Sequence, residues 1–226
     1  MPRAPPKGCS QPRRRHGSVG LVSRQKTHWE IVHAERRALA DDLTPLSDKE
    51  WATPSLCTGW TVHDVLAHLV NDATTTRLSF VAQLAAARFD FDALNQRGVE
   101  SERRARPLDT LARFREVADR TSSAPTPAAT RYVEAIVHGE DIRRPLGIAH
   151  TYPVDAVLEA IVHQRKTPVA MGGGRELAAG RRLVVTDAGT TAANPLSLGQ
   201  GPAVRGTAID LLLWLSGRDI APEAIS

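Results

Sequence analysis

Apolar side chains recur at a helical period through the first two thirds of the chain, and the polar residues between them mark where helices start and stop. From His28 to Leu43, Trp29, Ile31, Val32, Leu39 and Leu43 stand among charged residues, and Pro45 closes the segment. A loop through Pro54, Cys57 and Gly59 follows. Thr61-Val-His-Asp64 then forms a capping pattern in which the threonine hydroxyl and the aspartate carboxylate each reach first-turn donors. It opens a second helix running to about Arg88, with Val65, Leu66, Leu69, Val70 and Leu78 as its buried stripe and His68 beside that stripe. Asp90 to Arg106 carries charge without a sustained period and reads as a loop. Pro107 starts a third helix, burying Leu108, Leu111, Phe114, Val117 and Ala118. Ser122 to Thr126 breaks the chain, and Pro127 starts a fourth helix that stops at Arg144-Pro145-Leu-Gly147, since proline at the first helical position forfeits no hydrogen bond. Four helices with mostly short connections make a bundle.

The pattern changes after Pro153. Val154 to Gln164 is a short amphipathic helix, Leu183-Val-Val-Thr186 a β-branched run that reads as a strand, and Ile209 to Leu215 a strongly apolar segment before Gly217. Glycine and proline between them mark turns. Gly172 to Gly174 has no following Lys-Ser/Thr and makes no phosphate loop. The expected organisation is therefore mainly α: a basic tail over residues 1–26, a four-helix bundle over 27–150, and a small α/β unit over 151–226.

The net charge of +4 looks like an invitation to nucleic acid until it is divided along the chain. The first 26 residues carry +7 and no acid, so the remaining 200 sum to −3. The tail is rich in Pro, Gly and Ser and poor in apolar side chains, which predicts disorder; a translation start nearer Val19 or Val22 would remove most of it. No nucleic-acid partner is expected. No apolar run approaches the roughly 20 residues needed to cross a bilayer, the tail lacks the apolar stretch of a secretory signal, and the only cysteines are Cys9 and Cys57. A reduced, cytoplasmic protein without a membrane partner is the expectation.

The candidate chemistry lies on the second and fourth helices. Glu134 and His138 are four residues apart and project from one helix face one turn above the other. His68 reaches in from a neighbouring helix. Two imidazoles and a carboxylate with a fourth position open is the ligand set of a catalytic zinc rather than of a structural one, although the donors by themselves do not choose zinc over another divalent ion. Asp141, three residues after His138, either orients that ring from behind or pairs with Arg144 as a surface charge. Asp72, four after His68, poses the same choice. Trp51 and Trp60 read as loop anchors, and Cys57 reads as a structural thiol because only His63 beside it supplies a base.

Three segments resemble the mycothiol-dependent maleylpyruvate isomerase family: Trp51 through Val70, Glu134 through Gly147, and Val204-Arg205-Gly206 with Asp210 through Arg218. The family's abundance in actinobacteria agrees with the arginine bias, 25 of the 29 basic residues. The resemblance implies a DinB-like four-helix bundle followed by a sterol-carrier-like α/β domain. It implies metal ligands at His68, Glu134 and His138, the three residues that spacing selects independently. It further implies a low-molecular-weight thiol such as mycothiol as cosubstrate, its sulfur at the open position, adding to an electrophilic substrate either reversibly, as in isomerisation, or permanently, as in S-transfer. Arg205 and Arg218 are candidates for holding anionic groups, with Arg205 taken as the catalytic one. The alternative is a non-catalytic metal- or ligand-binding bundle with a regulatory or scaffold role.

Overall fold

A computed structural model describes residues 19–191, 194–220, 225 and 226. Four helices form the bundle: α1 (Val19–Asp42), α3 (Val62–Thr74), α6 (Pro107–Val117) and α7 (Thr130–Arg143), with the one-turn α2 (Asp48–Trp51) in the first connection. α3 packs on α6 and α7, and α1 packs on the same two, so the helices close into a ring in the order α1–α6–α3–α7. Leu39, Leu43, Leu66, Leu69, Leu111 and Phe114 fill its centre.

The helix expected to run from Val62 to Arg88 is two helices, α3 and α4 (Arg77–Ala86). Three successive threonines cause the break. Thr74 and Thr75 donate their hydroxyls back to Val70 and Asn71 carbonyls at 3.0 and 2.8 Å, and Thr76 accepts from Ser79 N–H as the cap of the next helix. The stretch expected as a loop contains helix α5 (Phe91–Glu102), capped by Asp90 and packed against α3. Its contact is made by Leu94, Gly98 and Val99. A Cβ on Gly98 would come within 2.5 Å of the Asn71 side chain, so glycine there allows the close approach that two apolar residues alone would not signal. α7 begins at Thr130 rather than Pro127, because the Arg131 guanidinium gathers the carbonyls of Ala124, Thr126 and Pro127 into a turn. The backbone of α1 reaches back to Val19, so residues 19–26, expected as tail, continue that helix; residues 1–18, including Cys9, lie outside the described residues.

Beyond Pro153 stand α8 (Val154–Gln164), a 3₁₀ turn (Val169–Met171), the one-turn α9 (Arg175–Ala178), three strands and α10 (Ala208–Leu215). β1 (Arg182–Thr191) pairs antiparallel with β2 (Asn194–Gly199) and parallel with β3 (Ala203–Gly206), in the order β2-β1-β3. Two of these strands were not expected: β2 and β3 are short and flanked by glycines. α10 covers the sheet and packs on α8, and α8 packs on α7.

α7 therefore belongs to two cores. Ile142 enters the bundle interior, while Tyr132, Ala135 and Ile136 pack with Val157, Ile161 and Leu211 of the second unit. Each such buried side chain contributes about 1.5–3 kcal/mol. Arg143, fully buried, adds polar ties by donating to Asp42 at 2.7 Å and to the Tyr152 hydroxyl at 2.9 Å. A helix held on both sides has little freedom to turn about its axis. No helix among the described residues is long and apolar enough to cross a membrane.

Candidate metal centre

His68 sits in the middle of α3, where the Thr61 and Asp64 capping box sets the start of the helix and the apolar stripe sets its rotation. Glu134 and His138 sit one turn apart on α7. The helix pairing brings the three together: Glu134 Oε2 lies 3.2 Å from His68 Nε2 and 3.3 Å from His138 Nε2. One ligand atom from each residue falls within 4.8 Å of the others. The two rings meet edge to face with centroids 4.6 Å apart, and Trp60 leans on the other side of His68 at 5.2 Å.

These separations can be compared with a tetrahedral ion. Two atoms bound at about 2.0–2.1 Å to a tetrahedral centre stand roughly 3.3–3.4 Å apart. The two carboxylate–imidazole separations of 3.2 and 3.3 Å match, and the third pair lies within 4.8 Å, so the donor set fits a small divalent cation.

Behind the triad, Asp141 accepts from His138 Nδ1 at 2.8 Å and takes a two-pronged contact from Arg218, Nε at 2.9 Å and Nη2 at 2.6 Å. Its carboxylate is wholly buried. Burial would raise the Asp141 carboxyl, yet Arg218 and His138 hold it below the usual range. With Nδ1 donating to Asp141, Nε2 faces Glu134, where it donates as an N–H in the metal-free protein and would offer its lone pair to a bound cation; an outer carboxylate in this place raises the basicity of the ring. Of the two readings of Asp141 the structure shows the orienting contact; Arg144 instead bonds Glu140 at 2.7 Å and Asp210 at 2.6 Å. His138 itself is raised to about 9: burial works against its charge, and the hydrogen bonds to Asp141 and Glu134 outweigh it. Glu134, also buried, is held well down by the two histidines.

Asp72 does not play the same part for His68. It accepts from Arg36 at 3.1 Å, while His68 Nδ1 is buried without a hydrogen-bond partner among the described residues. Burial and the charge of Glu134 push the Asp72 carboxyl up. Cys57 is near enough to feel Asp141, but burial and that charge raise its thiol to about 11, so it stays protonated. Trp51 is an anchor in the bundle core; Trp60 walls His68.

The two arginines separate. Arg205 is exposed on β3, where its backbone N–H donates to the Ser226 carbonyl at 2.8 Å, and no described contact joins it to the triad. Arg218, just after α10, reaches the site through Asp141, and this orienting role was not legible in the sequence. Nothing local to Arg218 points to a residue 77 positions away.

A cleft of about 820 Å³ opens from His68 and Glu134 between the bundle and the second unit, bordered by α4, α5 and the segment from Lys166 to Gly172. Two of the three candidate ligands thus line a cleft, which would leave a cation held there within reach of a small molecule.

Residues 32–143 match the family described as Mycothiol maleylpyruvate isomerase N-terminal domain. The helical region of this chain belongs to that family. The solved structure of the mycothiol-dependent maleylpyruvate isomerase is similar over 89% of this chain and 92% of that one, with a TM-score of 0.60 and 14% identity. The structure of a point mutant of the same enzyme is similar with equal coverage and score at 13% identity. At such identities the likeness shows the fold, which the isomerase shares across both the bundle and the small mixed sheet. No curated protein matches the chain.

Proposed function

We propose that this protein is a metal-dependent enzyme that uses a low-molecular-weight thiol, mycothiol in the first instance, against an electrophilic substrate. The observation that carries this reading is the convergence of His68, Glu134 and His138, the first two of which line an open cleft. Zinc is the cation best suited to two imidazoles and one carboxylate, and the solved relative is a mycothiol-dependent maleylpyruvate isomerase. Bound there, such a cation supplies a Lewis-acid position that keeps a thiol, which alone titrates near pH ~8.5, ionised at neutral pH.

The chain's own residues do the rest. Asp141 and Arg218 hold the His138 ring in register, and Trp60 fixes the His68 ring. The buried, protonated Cys57 leaves the nucleophile's role to the external thiol. The cleft walls keep water from the reacting sulfur and orient the electrophile. Addition and expulsion of the thiolate about a double bond gives isomerisation; retention gives S-transfer.

Metal analysis of the purified protein tests the first half of this reading. His68→Ala and His138→Ala are expected to lose the bound zinc, and full retention in both would remove the ligand assignment. Thiol-dependent consumption of electrophiles, absent in both variants, tests the second half.

A further inference from the structure

The cleft's lining restricts what can occupy it beyond the sulfur. We infer that the electrophile handled here is a neutral compound with an extended apolar chain or ring, and not a small dicarboxylate. The inference rests on the function proposed above and adds the substrate class.

Three observations carry it. One part of the wall is apolar, Phe80 from α4 with Phe91 and Leu94 from α5, and Pro168, Val169 and Met171 from the second unit, beside a polar part that includes Asn71, Gln83 and Thr130. Val169 and Met171 are 50% and 58% exposed, so apolar surface at the cleft's edge stands in water until something covers it. The cleft is also about 820 Å³, within the range of sites that enclose drug-sized ligands.

The charges point the same way. Asp72, Asp92 and Glu134 line the cleft, against Arg131 and Lys166. Arg131 is already spent: Nη1 donates to Thr126 O, Thr126 Oγ1 and Pro127 O at 2.8–2.9 Å, and Nη2 to Ala124 O at 2.9 Å and to Ser123 Oγ. His163 sits below its ordinary range because burial disfavours its charge, so it is neutral at pH 7. Among the described lining residues, Lys166 is the one cation outside an ion pair or a loop clip. One carboxylate of a diacid would take the metal position; the second meets a single exposed lysine and the Asp92 carboxylate, with the Arg131 donors already engaged. An apolar chain instead meets Phe80, Leu94 and Met171.

The test is a calorimetric titration of the zinc-loaded full chain with unreactive 2-alkanones from butanone to 2-decanone, and with succinate. Affinity is expected to rise about fourfold per added methylene until the walls are covered, with succinate at least tenfold weaker than 2-octanone. The double variant Val169→Ser/Met171→Ser, altered only at exposed positions, is expected to flatten the series. Affinity independent of chain length, or succinate binding as tightly as 2-octanone, overturns the inference. Turnover is measured separately, with 2-alkenals and a low-molecular-weight thiol. Its absence across the panel would count against the proposed enzyme while the titration still decides the cleft's preference.

Discussion

Replacing Asp141 by Asn tests the link between the outer carboxylate and the metal position. The side chain is wholly buried and takes three charge-assisted hydrogen bonds, 2.8 Å from His138 and 2.6 and 2.9 Å from Arg218. Asparagine keeps the volume and one acceptor oxygen, but it removes the charge and turns an NH₂ toward the guanidinium or the ring. His138 then loses its fixed orientation and part of its basicity. Loss of such an outer partner typically costs 10–100-fold in metal affinity, which is about 1.4–2.8 kcal/mol. Arg218, 14% exposed, is left without its carboxylate, and breaking a buried pair on one side costs folding stability of order 3–5 kcal/mol. Zinc affinity is to be read by competition with a chromogenic chelator, and stability by urea unfolding of the metal-free protein, so that weak binding by a folded variant is distinguished from unfolding. Arg218→Met is expected to weaken zinc binding in the same direction through Asp141. A D141N protein that binds zinc within twofold of the parent would refute the reasoning, because it would show that the outer carboxylate contributes nothing to the ligand it touches.

Three further outcomes are expected. Phe114→Ala, at a fully buried position in the bundle, should cost about 3–5 kcal/mol in urea unfolding and leave zinc stoichiometry unchanged. Burial, helped by Arg131 at His28 and by Arg103 at His63, brings both histidines down to about 4. The unfolded chain binds these protons near pH ~6.5, so their stabilising contribution is complete above that value and is lost as pH falls toward 4, roughly 2 kcal/mol each by pH 5; the slope between pH 7.5 and 5 should shrink in His63→Gln, and an unchanged slope would contradict it. Cys57→Ala should retain thiol-dependent turnover, since a thiol raised to about 11 contributes no nucleophile at neutral pH; loss of turnover in a folded, zinc-loaded variant would show otherwise.

The elements legible in the sequence were those whose signals are local. Leu66, Leu69 and Val70 at helical spacing, and the capping residues Thr61 and Asp64, describe α3 without reference to any other segment. α5 and the Thr75 break were misread because their causes are contacts or competing local bonds. Gly98 matters through Asn71, and Thr74 to Thr76 end a helix whose apolar pattern continues. The candidate metal ligands were legible in part for the same reason: Glu134 and His138 share a helix face by spacing alone, while adding His68 required a second helix to lie beside the first.

Spacing and capping therefore determined the helices and placed two of the three candidate ligands on one face, because a helix fixes which side chains are neighbours over four residues. Only the tertiary structure decided that α7 lies between two cores, that Arg218 rather than Arg205 stands behind the triad, and that the cleft beside it carries an apolar wall from Phe80, Leu94, Val169 and Met171. Those are relations between residues far apart in the chain, set by how whole elements pack, and no local pattern encodes them.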